Sequence, residues 1–168
     1  MRELSLHILD ILQNSREAGA TEVELIIDED LEADRLTIVV RDNGRGMDAE
    51  TAQRALDPFF TTRTTRHVGL GLPLLAAAAR RCEGDVTLAS APSQGTTVTA
   101  TFRHSHLDRA PLGDMTSTLL AFCLGERPGG RFYYRHRVGD RGFDFNLAEI
   151  QQELGEIPLS HPLARDWL

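Results

Sequence analysis

Asp10 and Asn14 stand one helical turn apart in a run whose apolar residues recur at helical spacing. A carboxamide oxygen such as Asn14's suits Mg2+, a hard cation that keeps several waters and takes few protein ligands. A carboxylate one turn away can orient or deprotonate a nucleophile. Taken alone, the stripe Glu3, His7, Asp10, Asn14, Glu17 is equally the solvated face of a surface helix. His7 is expected at the surface or behind the site rather than in the chemistry. Farther on, Asp42-Asn43-Gly44-Arg45-Gly46-Met47 ends an apolar run with a carboxylate. Its glycines let the backbone pass close to whatever that carboxylate holds, although Asn-Gly by itself is also a plain turn. A third stretch, Val68-Gly69-Leu70-Gly71-Leu72, opens an apolar segment. A glycine-rich helix start leaves backbone N–H groups free for an anion, and Arg63 and Arg66 just before it can meet phosphate oxygens.

These residues need elements to hold them. Residues 4–18 predict a helix, with Leu4, Ile8, Ile11, Leu12, Ser15 and Ala18 on one face. Residues 21–28 and 36–41 alternate and predict two strands that pair as a hairpin. Asp48 is placed to cap a short helix ending near Leu56. Residues 61–67 are rich in Thr and Arg and predict a mobile loop. An apolar helix follows to about Cys82, then strands over 85–89 and 96–103 joined by a Pro/Gly turn. The order is that of an α/β sandwich, a mixed or antiparallel sheet with helices on one face.

Composition bounds the function. The 168 residues carry a net charge of -7, with 41% hydrophobic and 26% charged residues. That describes a globular chain and argues against sequence-independent nucleic-acid binding. The two cysteines, Cys82 and Cys123, have no metal-type spacing, which points to a reducing compartment. No apolar run is long enough to span a bilayer and the N-terminus lacks a signal-peptide pattern. The expectation is a cytoplasmic protein with no membrane partner.

Together these stretches resemble the GHKL ATPases: gyrase B, heat-shock chaperones of that class, histidine kinases and MutL. The resemblance covers roughly residues 4–103 and implies the Bergerat ATP-binding fold. Asn14 falls where the family's N-box asparagine holds Mg2+. Asp42-Asn43-Gly44-Arg45-Gly46 matches the G1 box, whose aspartate accepts from the adenine amino group, with Met47 just after it. Asp57-Pro58-Phe59-Phe60-Thr61-Thr62-Arg63 is similar to the F box, Val68 to Leu72 to the G2 box, and Gly95-Thr96-Thr97 to the G3 turn. The resemblance thus implies a cofactor pair, ATP and Mg2+. The nucleotide would be bound by Asn14, Asp42, Gly44, Gly46, Met47, Arg63, Gly69, Leu70, Gly71 and Thr96, under a lid at 61–68.

The departures matter. Family hydrolases and serine kinases carry glutamate four residues before the N-box asparagine, and this chain has Asp10, one methylene shorter. Asp10 is the candidate base. The sequence begins at the N-box helix, so no phosphoacceptor hairpin is expected upstream and autophosphorylation in the usual manner is not expected. The leading expectation is an Mg-ATP-binding protein, resembling the ATP-binding domain of histidine kinases. It would hydrolyse ATP or pass its phosphoryl group to a separate signalling partner. Two alternatives stand beside it: a non-catalytic module whose partner binding responds to ATP, and a serine kinase of the anti-sigma type.

Residues 1–103 are expected to form the ATP-binding domain, and 104–168 an α+β extension. In the latter, 112–124 predicts a helix, 132–137 and 143–145 a hairpin, and 147–154 a short helix. Arg131, Arg135, Arg137 and Arg141 make a basic cluster, either a solvated hairpin or a docking surface for an acidic protein partner. His104, His106 and Asp108 lack a further ligand nearby in sequence and make a poor metal site.

Overall fold

A computed structural model describes residues 3–57, 71–125, 130–159 and 161. Helix α1 (Leu4–Glu17) is followed by β1 (Glu22–Asp30), β2 (Arg35–Asp42), α2 (Ala49–Arg54), α3 (Gly71–Arg81), β3 (Val86–Ser90) and β4 (Thr96–Arg103). Then come α4 (Met115–Leu124), β5 (Arg131–Val138), β6 (Arg141–Asn146) and α5 (Leu147–Leu154). The six strands form one mixed sheet in the order β3-β4-β2-β1-β5-β6. All neighbours are antiparallel except β1 and β5. This is the two-layer α/β sandwich that the order of elements predicts.

Alternation explains the sheet. Val23, Leu25 and Ile27 of β1 and Leu36, Ile38 and Val40 of β2 are buried on one face. Leu12 of α1, Leu75 of α3 and Phe122 of α4 pack with them in one core. Phe122 meets Phe132 of β5 edge-on at 4.9 Å, so α4 joins the helical layer and β5 the sheet that the residues before 104 begin. The other face is polar, with Glu24, Arg41, Thr97 and Tyr133 at its centre. Among the described residues no helix is long and apolar enough to cross a membrane.

Two ends are closed in ways the sequence does not announce. Helix α1 has no side-chain cap. Its first amides, Leu4 and Ser5, donate instead to the carbonyls of Pro111 and Leu112 at 3.0 and 2.8 Å, so a later segment satisfies groups every helix start leaves open. The helix expected from 112 begins only at Met115, where Asp114 accepts from the Ser117 amide at 2.9 Å. Asp48 caps α2 as expected, accepting from Thr51 N at 2.8 Å.

Far from Asp42 along β1, Glu29 lies between two imidazoles. His104 Nε2 is 2.7 Å from one carboxylate oxygen and His136 Nε2 is 2.8 Å from the other. His106 instead faces Glu83 at 4.0 Å. Among the described residues no three metal-type side chains converge. Burial raises the Glu29 pKa, but the bonds from His104 and His136 outweigh it and hold the group below its ordinary 4.5. A carboxylate depressed in this way stabilises the fold above its unfolded pKa and loses that contribution as pH falls through the lower folded value. Glu29→Gln should therefore cost about 1–2 kcal/mol near neutrality. The gap between the two melting curves should close as pH falls below the ordinary 4.5 and through the lower folded value. A gap that stays constant to low pH would contradict this.

Candidate functional site

The site forms where β2 and β4 reach the helical layer. Asp42 is the last residue of β2 and pairs in register with Thr96, the first of β4. Its carboxylate is held at both oxygens: Oδ1 accepts from the Gly44 amide at 2.9 Å, and Oδ2 from the Ser15 hydroxyl at 2.8 Å. Ser15 follows Asn14 on α1, so a single hydrogen bond ties the candidate metal-binding helix to the candidate base-reading carboxylate. Sequence reasoning placed Ser15 on the apolar face and missed this role. The signal available was its position, a hydroxyl next to Asn14 on a buried stripe.

Asn43 supports the turn from behind. Its Oδ1 accepts from the amides of Thr21 and Glu22, both at 2.9 Å, and its Nδ2 donates to Thr21 Oγ1 at 3.0 Å. The Arg45 amide donates to Ala18 O at 2.9 Å. The segment after Asp42 is thus anchored to the exit of α1 at two points. On its other side it interlocks with the β3–β4 turn. Gly46 has φ +67° and Gly95 φ +75°. A methyl on Gly46 would overlap the Ala91 carbonyl, and one on Gly95 would overlap the Asp42 carbonyl. Ser90 joins the two turns, accepting from the Met47 amide at 2.9 Å and donating to Gly95 O at 2.9 Å. Its hydroxyl also lies 2.9 Å from Thr96 Oγ1.

Gly95→Ala puts a side chain into left-handed backbone and against a carbonyl. We expect it to cost about 2–3 kcal/mol, seen as a melting temperature roughly 5–10 °C lower for a chain of this size. An unchanged melt would mean that the two turns are not interlocked as described.

Asp10 and Asn14 are half-buried on α1. A Cβ built on Gly71, the first residue of α3, would lie 3.1 Å from Asp10 Cβ and 3.2 Å from Asp10 Oδ2. The bare backbone at the start of α3 therefore stands directly against the candidate base. Of the polar stripe of α1, Asp10 meets this junction, Glu3 lies against Asp114 and Ser5, and Glu17 is exposed. His7 is 3% exposed, so of its two expected places, at the surface or behind the site, the surface is excluded. Asp42, Gly44, Gly46, Met47 and Thr96 thus meet at one end of the sheet beside Ser15, the neighbour of Asn14 on α1, while Gly71 meets Asp10 earlier on the same helix. Arg63, Gly69, Leu70 and the expected lid at 61–68 lie outside the described residues.

A cleft of about 570 Å³ on the polar face of the sheet is lined by Asp42 and Asn43 of the candidate site together with Glu24, Arg41, Thr97 and Tyr133. It lies across the sheet from Asn14 and Gly71. Its charges already pair, Arg41 with Glu24 at 3.0 Å and Arg131 with Glu22. Of the basic cluster in the extension, Arg135 and Arg137 share Asp144 at 3.0 and 2.7 Å, which holds its carboxyl down at about 2. Three of the four arginines thus already hold carboxylates within the chain.

Comparison with known proteins bears on this geometry. Residues 2–106 match the family described as histidine kinase-, DNA gyrase B- and HSP90-like ATPases. The tetrathionate sensor histidine kinase TtrS of Salmonella typhimurium is 33% identical over 115 residues, covering 66% of this chain and 19% of that protein. The sensor protein kinase FleS of Pseudomonas aeruginosa is 41% identical over 92 residues, covering 55% of this chain and 23% of its own length. The chain therefore spans about a fifth of these relatives. Among solved structures, the N-terminal domain of a DNA repair protein superposes with a TM-score of 0.57 at 18% identity, covering 87% of this chain and 52% of that one. That likeness shows the fold.

Proposed function

The chain belongs to the histidine kinase-, DNA gyrase B- and HSP90-like ATPase family, and on that premise we propose that it binds Mg-ATP and either hydrolyses it or passes the phosphoryl group to a separate signalling protein. The observation that carries this reading is the doubly held carboxylate of Asp42, one hydrogen bond from the helix bearing Asn14 and Asp10. A fixed anion at a strand end accepts from a purine amino group. Guanine would present a carbonyl there, and two facing acceptors cost about 1–3 kcal/mol.

The donors present fit the cofactor. Asn14 supplies the hard oxygen that Mg2+ takes, and α3 begins at Gly71, where the first amides of a helix suit a phosphate. Bound Mg2+ would supply charge neutralisation on the phosphates. Asp42 reads the base, with Ser15 fixing its orientation. Gly44, Gly46, Met47 and Thr96 shape the wall, and Gly69, Leu70 and Gly71, with Arg63, meet the phosphates. Asp10 orients or deprotonates the attacking group. Catalysis of this kind is mostly positioning and charge stabilisation.

A second reading is favoured by one contact. Arg16 of α1 donates to the Phe122 carbonyl at 2.7 Å and lies over the Phe122 ring at 4.9 Å. The nucleotide helix thus grips α4, and a non-catalytic module could use nucleotide to alter a protein-binding surface on the extension. The two readings separate in one experiment. Mg-ATP is titrated calorimetrically, then γ-labelled ATP is followed by mass spectrometry for phosphate on the protein and on co-purified partners. Released or transferred phosphate is the expected result. Binding without turnover favours the module, and absence of binding ends both.

A further inference from the structure

The sheet ends at β3 on one side and at β6 on the other. Helix α2 packs beside β3. Among the described residues no strand pairs with the outer edge of β6, and Arg141 to Asp144 are all exposed. An edge strand turns a row of amides and carbonyls outward, and that row recruits another strand unless proline, a bulge or charge blunts it. Strand β6 contains no proline. Its ladder with β5 runs unbulged from Val138↔Arg141 to Tyr133↔Asn146. Its one cation, Arg141, and its one anion, Asp144, cancel.

The exposed residues differ from face to face. On one face Phe143 is 53% exposed, with its ring 6.3 Å from that of Tyr134. On the other, Gly142 carries no side chain, and the Arg137 guanidinium lies where its Cβ would be. From there Arg137 donates to Asp144 at 2.7 Å.

We propose that β6 pairs antiparallel with β6 of a second copy of this chain, about a twofold axis at Phe143. Opposed residues of a ladder share a face, so the axis of such an isologous pair must pass between two like residues. At Asp144 it would set two carboxylates against each other, which is destabilising. At Gly142 it would oppose two residues with nothing to pack. At Phe143 it opposes two half-exposed rings, and on the other face it sets Gly142 against the partner's Asp144. The Arg137 guanidinium over Gly142 then meets a carboxylate from each chain, twice over by symmetry.

The test uses the full chain. Sedimentation equilibrium from about 1 µM to about 1 mM should show monomer and dimer in exchange. Phe143→Lys sets like charges opposite each other and should raise the dissociation constant at least about tenfold, with an unchanged melt in dilute solution. Phe143→Cys, treated with oxidised glutathione, should give a disulfide-linked dimer. Directly opposed residues have Cα atoms about 4.5–5.5 Å apart, within disulfide reach, and Cys82 and Cys123 are buried. Arg141→Cys should not cross-link, because its two copies would stand four residues out of register, at least about 13 Å apart. If Phe143→Lys fails to fold, the two cysteine variants decide. A wild type that stays monomeric throughout, leaving the edge to an extended peptide of another protein, overturns the inference. So does a Phe143→Lys variant that dimerises like wild type, or equal cross-linking of the two cysteine variants. No outcome bears on Mg-ATP binding.

Discussion

Asp42→Asn should weaken Mg-ATP binding by at least about a hundredfold, or about 2.7 kcal/mol, while the melting temperature stays close to that of wild type. The reason lies in how the carboxylate is used. The Gly44 amide and the Ser15 hydroxyl take one oxygen each. In asparagine the single oxygen must stay with the Gly44 amide, which has no other acceptor within the turn. The new NH2 then faces Ser15, whose hydroxyl rotates to accept, so the local fold survives. It also meets the purine amino group, donor against donor. A charge-assisted bond is lost and an unpaired donor is added, each worth about 1–3 kcal/mol. Calorimetry and a thermal melt on the same preparation decide the matter. Undiminished affinity would remove Asp42 from the site.

Asp10→Ala is the complementary case. General acid–base assistance contributes about 10²–10⁴ in rate, so turnover should fall to background. Nucleotide affinity should hold within a few fold, because the alanine removes a group that acts on the nucleophile and not on the base. The space it leaves beside Gly71 is small. If phosphate release in the variant equals wild type, the proton acceptor lies elsewhere. Concerted loss of binding and turnover would instead mark Asp10 as a ligand-holding group.

Much of this arrangement was legible in the residues. Strict alternation marked β1 and β2 because one face of each strand is buried, and Asp48 announced α2 through a bond spanning three residues. The tail hairpin expected over 132–137 and 143–145 forms, with its strands running on to a two-residue turn at Gly139-Asp140. What stayed hidden depends on contacts between distant segments. Nothing local in Phe132 or Tyr134 says that β5 lies parallel to β1, since alternation marks a strand and not its neighbour. Which of the two readings of the α1 stripe holds at His7, Asp10 and Asn14 stayed open because a helix face covered by another segment and one facing water share the same periodicity. Ser15 was hidden for the opposite reason: a small residue among Ile11 and Leu12 reads as packing until its partner 27 positions away is known.

The parallel pairing of β1 with β5 also has a consequence for synthesis. Glu22 is matched with Arg131, so the ribosome must add more than a hundred residues after β1 before its outer edge can be covered. At about 5–20 residues per second that interval is roughly 5–20 s. Throughout it the nascent hairpin of β1 and β2 carries unsatisfied amides and carbonyls along an open edge, a template for pairing with other chains. Aggregation during expression should therefore begin at this hairpin, and slower chain elongation would lengthen the hazard.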